Sequence, residues 1–211
     1  MRKLRILAII LPLTGCAFSQ TPKQPASSTP AQGPWEYSLT IDGYVVPHGE
    51  SYVDPIFTAD HDWLHLEARY NYEDLQTGSL WAGYNFSAGK KLVFSATPMI
   101  GGVFGNTNGI APGYEVSLSY KRFTLSPQGE YVFDTTNRDG SFFYTWTSLT
   151  YSVDWFRGGF VEQRTKAYHT SLDVQRGFLV GVSRKKIEFT TYVFDPGIAD
   201  PTVVLELGVS F

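Results

Sequence analysis

The segment Trp35-Glu36-Tyr37-Ser38-Leu39-Thr40-Ile41-Asp42 alternates large apolar residues with polar ones. Successive side chains of a β-strand point to opposite faces, so Trp, Tyr, Leu and Ile share one face and the polar residues share the other. The same two-residue period recurs to the end of the chain, for example over residues 64–72 and 203–211. No helical period is found after residue 20. The sequence therefore predicts an all-β fold over residues 35–211.

The connections between the predicted strands alternate between short, mostly charged turns and longer loops. They predict about 12 strands, with about 10 as the open alternative. An even strand number, with both ends of the strand region on the short-turn side, is typical of a closed antiparallel transmembrane β-barrel with short periplasmic turns. The predicted strands lie near 35–46, 52–59, 62–72, 79–88, 91–104, 110–120, 123–134, 141–153, 156–166, 171–183, 186–194 and 202–211.

The composition excludes several classes of protein. Of the 211 residues, 16% are aromatic and 18% are charged, which is not the composition of a disordered chain. Acidic residues (20) outnumber lysine and arginine (17), so the charge does not favour nucleic-acid binding. The single cysteine excludes an intramolecular disulfide framework and a cysteine-rich metal site.

The N-terminus has the features of a targeting segment. Three basic residues precede an apolar stretch that is too short to span a bilayer as a helix. Residues 1–19 fit a signal peptide that is cut before Gln20. Alternatively, Leu13-Thr14-Gly15-Cys16 resembles a lipobox, in which case the signal ends at residue 15 and Cys16 is lipidated. Residues 20–34 are rich in Pro, Ser, Gln and Thr and predict a flexible linker.

The C-terminal segment Leu205-Glu206-Leu207-Gly208-Val209-Ser210-Phe211 resembles the insertion signal of bacterial outer-membrane β-barrel proteins, whose last strand alternates and ends in an aromatic residue. This resemblance covers about residues 35–211 and matches no characterised member of the class. It implies a location in the outer membrane, contact with outer-membrane lipids, and the barrel-assembly machinery as a partner that acts on Phe211. Aromatic residues concentrated toward the strand ends agree with two interfacial belts.

The polar faces of the predicted strands would line the lumen, and acidic residues dominate them. We therefore predict passage of small solutes with a preference for cations. Two alternatives remain open: internal ion pairs that fill a closed structural or adhesive barrel, and a lumen that is narrowed by Trp63, Trp81, Phe142 and Trp146. The predicted lumen-facing ionisable residues are Glu36, Asp42, Asp54, His65, Glu67, Arg69, Lys91, Glu115, Glu130, Glu162, Arg164, Lys166, Asp173, Glu188 and Glu206.

The sequence carries no recognisable catalytic motif, metal-binding histidine pair or phosphate-binding loop. We therefore predict no catalytic residues, no metal and no cofactor. A lipid-hydrolysing or lipid A-modifying barrel enzyme is the alternative. In that alternative His65 would be the base, whereas the favoured interpretation makes it a member of a lumen network.

Two features fit the barrel pattern poorly. Pro55, Pro98, Pro112 and Pro127 fall inside predicted strands, where we expect bulges or strand ends because proline cannot donate to the ladder. Arg176 falls on the lipid-facing side of its strand. It is expected either to lie near the outer rim or to be turned inward by a bulge at Gly177.

Overall fold

The computed structural model describes residues 33–47, 49–167, 170–197 and 200–211. The predicted signal segment, Cys16 and residues 20–32 of the predicted linker lie outside this range. In the described part of the chain, no helix is long and apolar enough to cross a membrane.

The described residues form antiparallel strands joined by turns and loops, together with one short 3-10 turn at Arg138–Gly140. The strands are β1 (Glu36–Val45), β2 (Tyr52–His61), β3 (Leu64–Tyr70), β4 (Thr77–Tyr84), β5 (Phe86–Ala88), β6 (Leu92–Gly105), β7 (Gly109–Tyr120), β8 (Phe123–Asp134), β9 (Phe142–Val153), β10 (Phe156–Ala167), β11 (Asp173–Arg184), β12 (Ile187–Phe194) and β13 (Val203–Ser210).

The sheet closes on itself. Apart from β4 and β5, which both pair with β6, each described strand pairs with its sequence neighbours, and β1 pairs with β13 to complete the circle. Both β4 and β5 pair with β6 in one continuous register, with Gly83 opposite Met99 and Phe86 opposite Ala96, so together they form a single wall strand. The molecule is therefore a closed antiparallel barrel of 12 strands, as the alternation predicted.

The short and long connections lie at opposite ends of the barrel. Two-residue turns join β2 to β3, β7 to β8, β9 to β10 and β11 to β12, at what we call the turn end. The first turn residue has positive φ in each case, at Asp62 (51°), Lys121 (57°), Asp154 (51°) and Lys185 (57°). The other end, called the loop end, carries the longer connections. Trp35 and Phe211 lie at the turn end.

The prolines do not form the expected bulges. All four lie within strands, although the β2–β3 ladder ends beside Pro55 and the wall strand that pairs with β6 is interrupted opposite Pro98. Ile110 pairs with Phe133 and Gly113 with Glu130, so the β7–β8 ladder skips Pro112 without a shift. The reason is that proline removes one N–H donor but does not require an extra residue. The four are Pro55 in β2, Pro98 in β6, Pro112 in β7 and Pro127 in β8.

The two faces of the wall differ in polarity. Large apolar side chains such as Leu80, Ile100 and Phe160 project outward and are exposed, as a lipid-facing surface requires. The inner face carries most of the buried polar residues, together with two buried apolar clusters, one around Trp81 and Met99 and the other around Leu179, Tyr192 and Phe194.

Trp81 and Trp63 were both predicted to narrow the lumen, but only Trp81 points into it. Trp81 does point inward and is 3% exposed, because Gly101 and Gly113 leave room for its ring; a Cβ at Gly101 would lie 2.4 Å from the indole. Trp63 was wrongly assigned to the lumen. It lies in the β2–β3 turn, is 57% exposed and stacks on Tyr84.

Candidate functional site

The inner face of the barrel collects most of the ionisable residues selected from the sequence. Among the charged residues of the described strands, Arg69 and Arg157 are the inner-face arginines, and carboxylates outnumber them. Glu36 and Asp173 lie near the two ends and are exposed, whereas the others lie deeper. Lys91 lies in the turn before β6. The predicted residues on the inner face are Glu36, Asp42, Asp54, His65, Glu67, Arg69, Glu115, Glu130, Asp173, Glu188 and Glu206.

Glu162, Arg164 and Lys166 were expected in the lumen but lie on the outer wall. They share a face of β10 with Phe160, which is 71% exposed, while Val161 on the opposite face is buried. The prediction was wrong because Gly158 and Gly159 interrupt the alternation of apolar and polar residues in β10. Without that alternation, the sequence does not show which residues of the strand face the lumen. On the inner face of this strand the charged residue is instead Arg157, which the sequence analysis did not select.

Arg69 is the centre of a buried network near the loop end. Its Nε donates to Glu67 Oε1 at 2.6 Å, and its Nη1 donates to Glu130 Oε2 at 2.8 Å, on the other side of the lumen. The guanidinium also lies 4.3 Å from the ring centroid of Tyr72 and 4.5 Å from that of Trp81. One arginine therefore ties several walls of the barrel together.

The loop between β3 and β4, residues 71–76, folds into the barrel, which no pattern in its residues indicates. Glu73 is buried, and its Oε1 accepts hydrogen bonds from Ser79 Oγ (2.6 Å) and Trp81 Nε1 (3.3 Å). The Tyr72 hydroxyl accepts a hydrogen bond from Gln128 Nε2 at 3.0 Å. The loop thus places an aromatic ring and a carboxylate within the passage.

His65 lies on the same face as this network, toward the turn end. Its Nδ1 is 2.9 Å from Asp60 Oδ1 and its Nε2 is 3.2 Å from Glu67 Oε2. Ligand atoms of His65, Glu67 and Glu115 all lie within 4.8 Å of one another, so these three residues could hold a cation. Arg69 already binds Glu67, which weakens this site for a metal. Both hydrogen-bond partners of the histidine are carboxylates, which fits a network residue better than a base beside a nucleophile.

A second group of carboxylates lies on three adjacent strands. Asp42 on β1 is directly opposite Asp54 on β2 and Glu206 on β13. Oδ1 of Asp42 and Oδ1 of Asp54 are buried and have no hydrogen-bond partner among the described residues. Two ladder steps closer to the loop end, Tyr44 and Tyr52 stack with ring centroids 4.6 Å apart. Buried carboxylate oxygens without a hydrogen-bond donor therefore lie on the inner face beside an aromatic pair.

Arg157 balances part of this charge nearer the turn end. It donates to Glu206 Oε1 at 3.0 Å and forms an ion pair with Glu188. Glu206 Oε2 accepts a hydrogen bond from the Tyr192 hydroxyl at 2.8 Å. Asp42 and Asp54 are outside this pairing, so the inner face carries more carboxyl groups than cationic side chains.

Comparison with solved structures identifies the architecture. The KdgM porin superimposes with a TM-score of 0.56 at 12% identity, over 82% of this chain and 99% of that chain; a second structure of that porin, with disordered oligogalacturonate, gives the same values. Omp33 of Acinetobacter baumannii aligns over 84% of this chain and 98% of its own, at 8% identity and a TM-score of 0.49.

No protein-family model matches the sequence, and a search of curated proteins finds no match either. At these identities the structural likeness concerns the fold. The resemblance to outer-membrane barrels that the C-terminal segment indicated is confirmed at that level, and the chain has the fold of bacterial outer-membrane porins.

Proposed function

We propose that this barrel is an outer-membrane channel for small solutes, that it favours cations, and that it catalyses no reaction. The porin fold and the apolar outer wall support the channel. The turn end would face the periplasm and the loop end the exterior, as in barrels of this type. The assignment of residues 1–19, or of the lipobox ending at Cys16, as the export signal belongs to the same proposal.

The observation that carries the cation preference is the pairing of Asp42 with Asp54. Both carboxylates face the lumen, Glu206 follows on the next strand, and an oxygen of each aspartate is left without a hydrogen-bond donor. Ionised carboxylates on the wall of a low-dielectric passage attract cations, and the surrounding wall focuses their field along the axis. Cations passing the site would meet these oxygens.

The carboxylates of the inner face make polyanions poor substrates for this proposed channel. Oligogalacturonate, with which the KdgM porin has been crystallised, carries repeated carboxylates. Such a chain would be repelled by Asp42 and Asp54, the carboxylates that do not pair with Arg157. We therefore propose small cations and neutral solutes as the substrates.

The test is ion selectivity in planar bilayers. The reversal potential under a potassium chloride gradient should show cation preference for the wild type. The double variant Asp42→Asn/Asp54→Asn should lose much of that preference. The control double variant Asp139→Asn/Asp154→Asn removes the same charge from a loop and a turn and should behave as the wild type.

Two results would contradict the proposal. Anion selectivity of the wild type would show that the acidic inner face does not set the permeating ion. Absence of conductance from protein that is folded and inserted would favour a closed barrel filled by its ion pairs.

A further inference from the structure

Three cationic side chains face the membrane side of the barrel rather than its lumen. Arg164 and Lys166 lie on the face of β10 that carries Phe160, and Arg176 lies on the face of β11 that carries Phe178 and Val180. On the opposite face of β11, Leu179 is buried. We call Arg164, Lys166 and Arg176 the outer-wall patch. The register between β10 and β11 is unbroken, so the alternative of a bulge at Gly177 is excluded and Arg176 lies near the outer rim.

Along the outer wall, aromatic side chains give way to charged ones toward the loop end, as expected where a bilayer changes from hydrocarbon to headgroups. Phe160 is directly opposite Phe178, and two ladder steps toward the loop end Glu162 is opposite Arg176. Arg164 follows two steps further, and β10 ends at residue 167. The aromatic pair lies nearer the middle of the barrel and the cations lie nearer the loop end. A lipid of the outer leaflet would place its acyl chains at the level of the aromatic pair and its headgroup at the level of the cations.

A groove adjoins the patch. It has a volume of about 480 Å³ and combines apolar walls with the guanidinium of Arg176. Asp195 also lines it, but its Oδ1 accepts a hydrogen bond from the Arg176 backbone N–H at 3.0 Å and is thereby engaged. The residues that line the groove are Phe160, Arg176, Gly177, Phe178, Asp195 and Pro196.

The charges of the patch are only partly balanced. Glu162 Oε1 accepts from Arg164 Nε, and Glu162 Oε2 accepts from Arg176 Nε, both at 2.7 Å. One carboxylate thus orients two guanidinium groups. The Arg176 side chain nevertheless remains 73% exposed and that of Arg164 48% exposed. Lys166 is exposed as well. Three cations against two carboxylates, Glu162 and the groove residue Asp195, still leave an excess of positive charge on this face.

We propose that the outer-wall patch binds the phosphate headgroup of an outer-leaflet lipid, with an acyl chain against Phe160 and Phe178 in the groove. Two oriented guanidinium groups offer the paired N–H donors that a phosphate accepts, and Lys166 adds a third cation. An apolar groove with a cationic upper end complements an amphipathic anion. This inference goes beyond the channel proposal and does not depend on which ion the lumen conducts.

The experiment compares lipid retention by the purified, folded barrel. Wild-type protein in mild detergent is mixed with micelles containing phosphatidic acid or phosphatidylcholine, and bound lipid is counted by native mass spectrometry. Phosphatidic acid should be retained preferentially, and Arg164→Gln/Arg176→Gln should lower its affinity roughly tenfold for each arginine removed. The matched control is Arg184→Gln/Lys185→Gln, which removes two charges at the turn end of the same strand, away from the groove. Inorganic phosphate serves as a competitor to distinguish a lipid from the free anion.

Each result of this experiment either supports the lipid-binding proposal or overturns it. Loss of retention in the patch variant, with the control unchanged and inorganic phosphate unable to compete, supports the proposal. Equal loss in both double variants would show attraction that depends on net charge alone and would overturn it, as would equal retention of the two lipids by the wild type. If the double variant fails to fold, Lys166→Gln, which changes no ion pair that the structure describes, must still reduce retention.

Discussion

Tyr72, in the loop that follows β3, contacts Tyr144 of β9 edge to face, with ring centroids 5.7 Å apart. The two residues belong to nearly opposite walls of the barrel, since β4 to β8 lie between them in the sheet order. The loop therefore crosses the lumen rather than extending over its rim. Two contacts hold the loop in this position: the Arg69 guanidinium packs on the Tyr72 ring, and Glu73 accepts a hydrogen bond from the Ser79 hydroxyl.

We expect Tyr72→Ala to raise the single-channel conductance, roughly twofold, because it removes a ring that bridges two walls of the passage. Planar-bilayer recordings measure this directly. Tyr70→Ala is the control, since Tyr70 is two residues earlier in the chain and faces outward. An unchanged conductance for Tyr72→Ala would mean that ions pass elsewhere.

Arg69→Met should destabilise the barrel by about 3–5 kcal/mol, because it leaves Glu67, Glu73 and Glu130 buried without their shared cation. Urea unfolding in lipid vesicles, followed by the gel mobility of unheated samples, measures the free energy of unfolding. Arg184→Met, on the outer face at the turn end, should change it by no more than about 0.5 kcal/mol. Equal stability of the two variants would contradict a structural role for the Arg69 network.

Cation preference should fall as salt concentration rises. The field of the unpaired carboxylates is screened over a Debye length of about 30 Å at about 0.01 M salt and about 3 Å at about 1 M. Reversal potentials at a fixed concentration ratio, recorded over a series of mean ionic strengths, measure this dependence. A preference that is independent of salt would point to direct coordination of the ion instead of a long-range field.

Phe211→Ala should impair assembly more than stability. The Phe211 backbone pairs with Tyr37 at the seam where the barrel closes, and the two rings stack at 6.4 Å. Loss of one aromatic pair costs about 1 kcal/mol in refolded protein, whereas loss of the proposed assembly signal would deplete the folded form in the outer membrane. The control is Phe133→Ala, which removes a ring that packs on Tyr131 at the loop end. Equal amounts of the two folded variants in the outer membrane would contradict an assembly role for Phe211.

Most of the wall could be predicted from the sequence because a membrane barrel encodes it locally. In β1 the alternation from Trp35 to Asp42 sets both faces, and in β13 the alternation from Val203 onward does the same. Prediction failed in β10, where Gly158-Gly159 carry no side chains to mark a face. There a one-residue error in register exchanged the lumen set for the lipid-facing set.

The sequence by itself determined an all-β barrel, the approximate bounds of its strands and the acidic character of its inner face, because these follow from the two-residue period and from composition. Tertiary structure alone decided which side chains meet across the lumen. Arg69 and Glu130 are 61 residues apart in the chain, and only barrel closure brings their charged atoms to 2.8 Å. The inward course of the loop carrying Tyr72 and Glu73 has the same origin. Its partners on β4, β8 and β9 are assembled by strand pairing, and no local pattern in residues 71–76 records their positions.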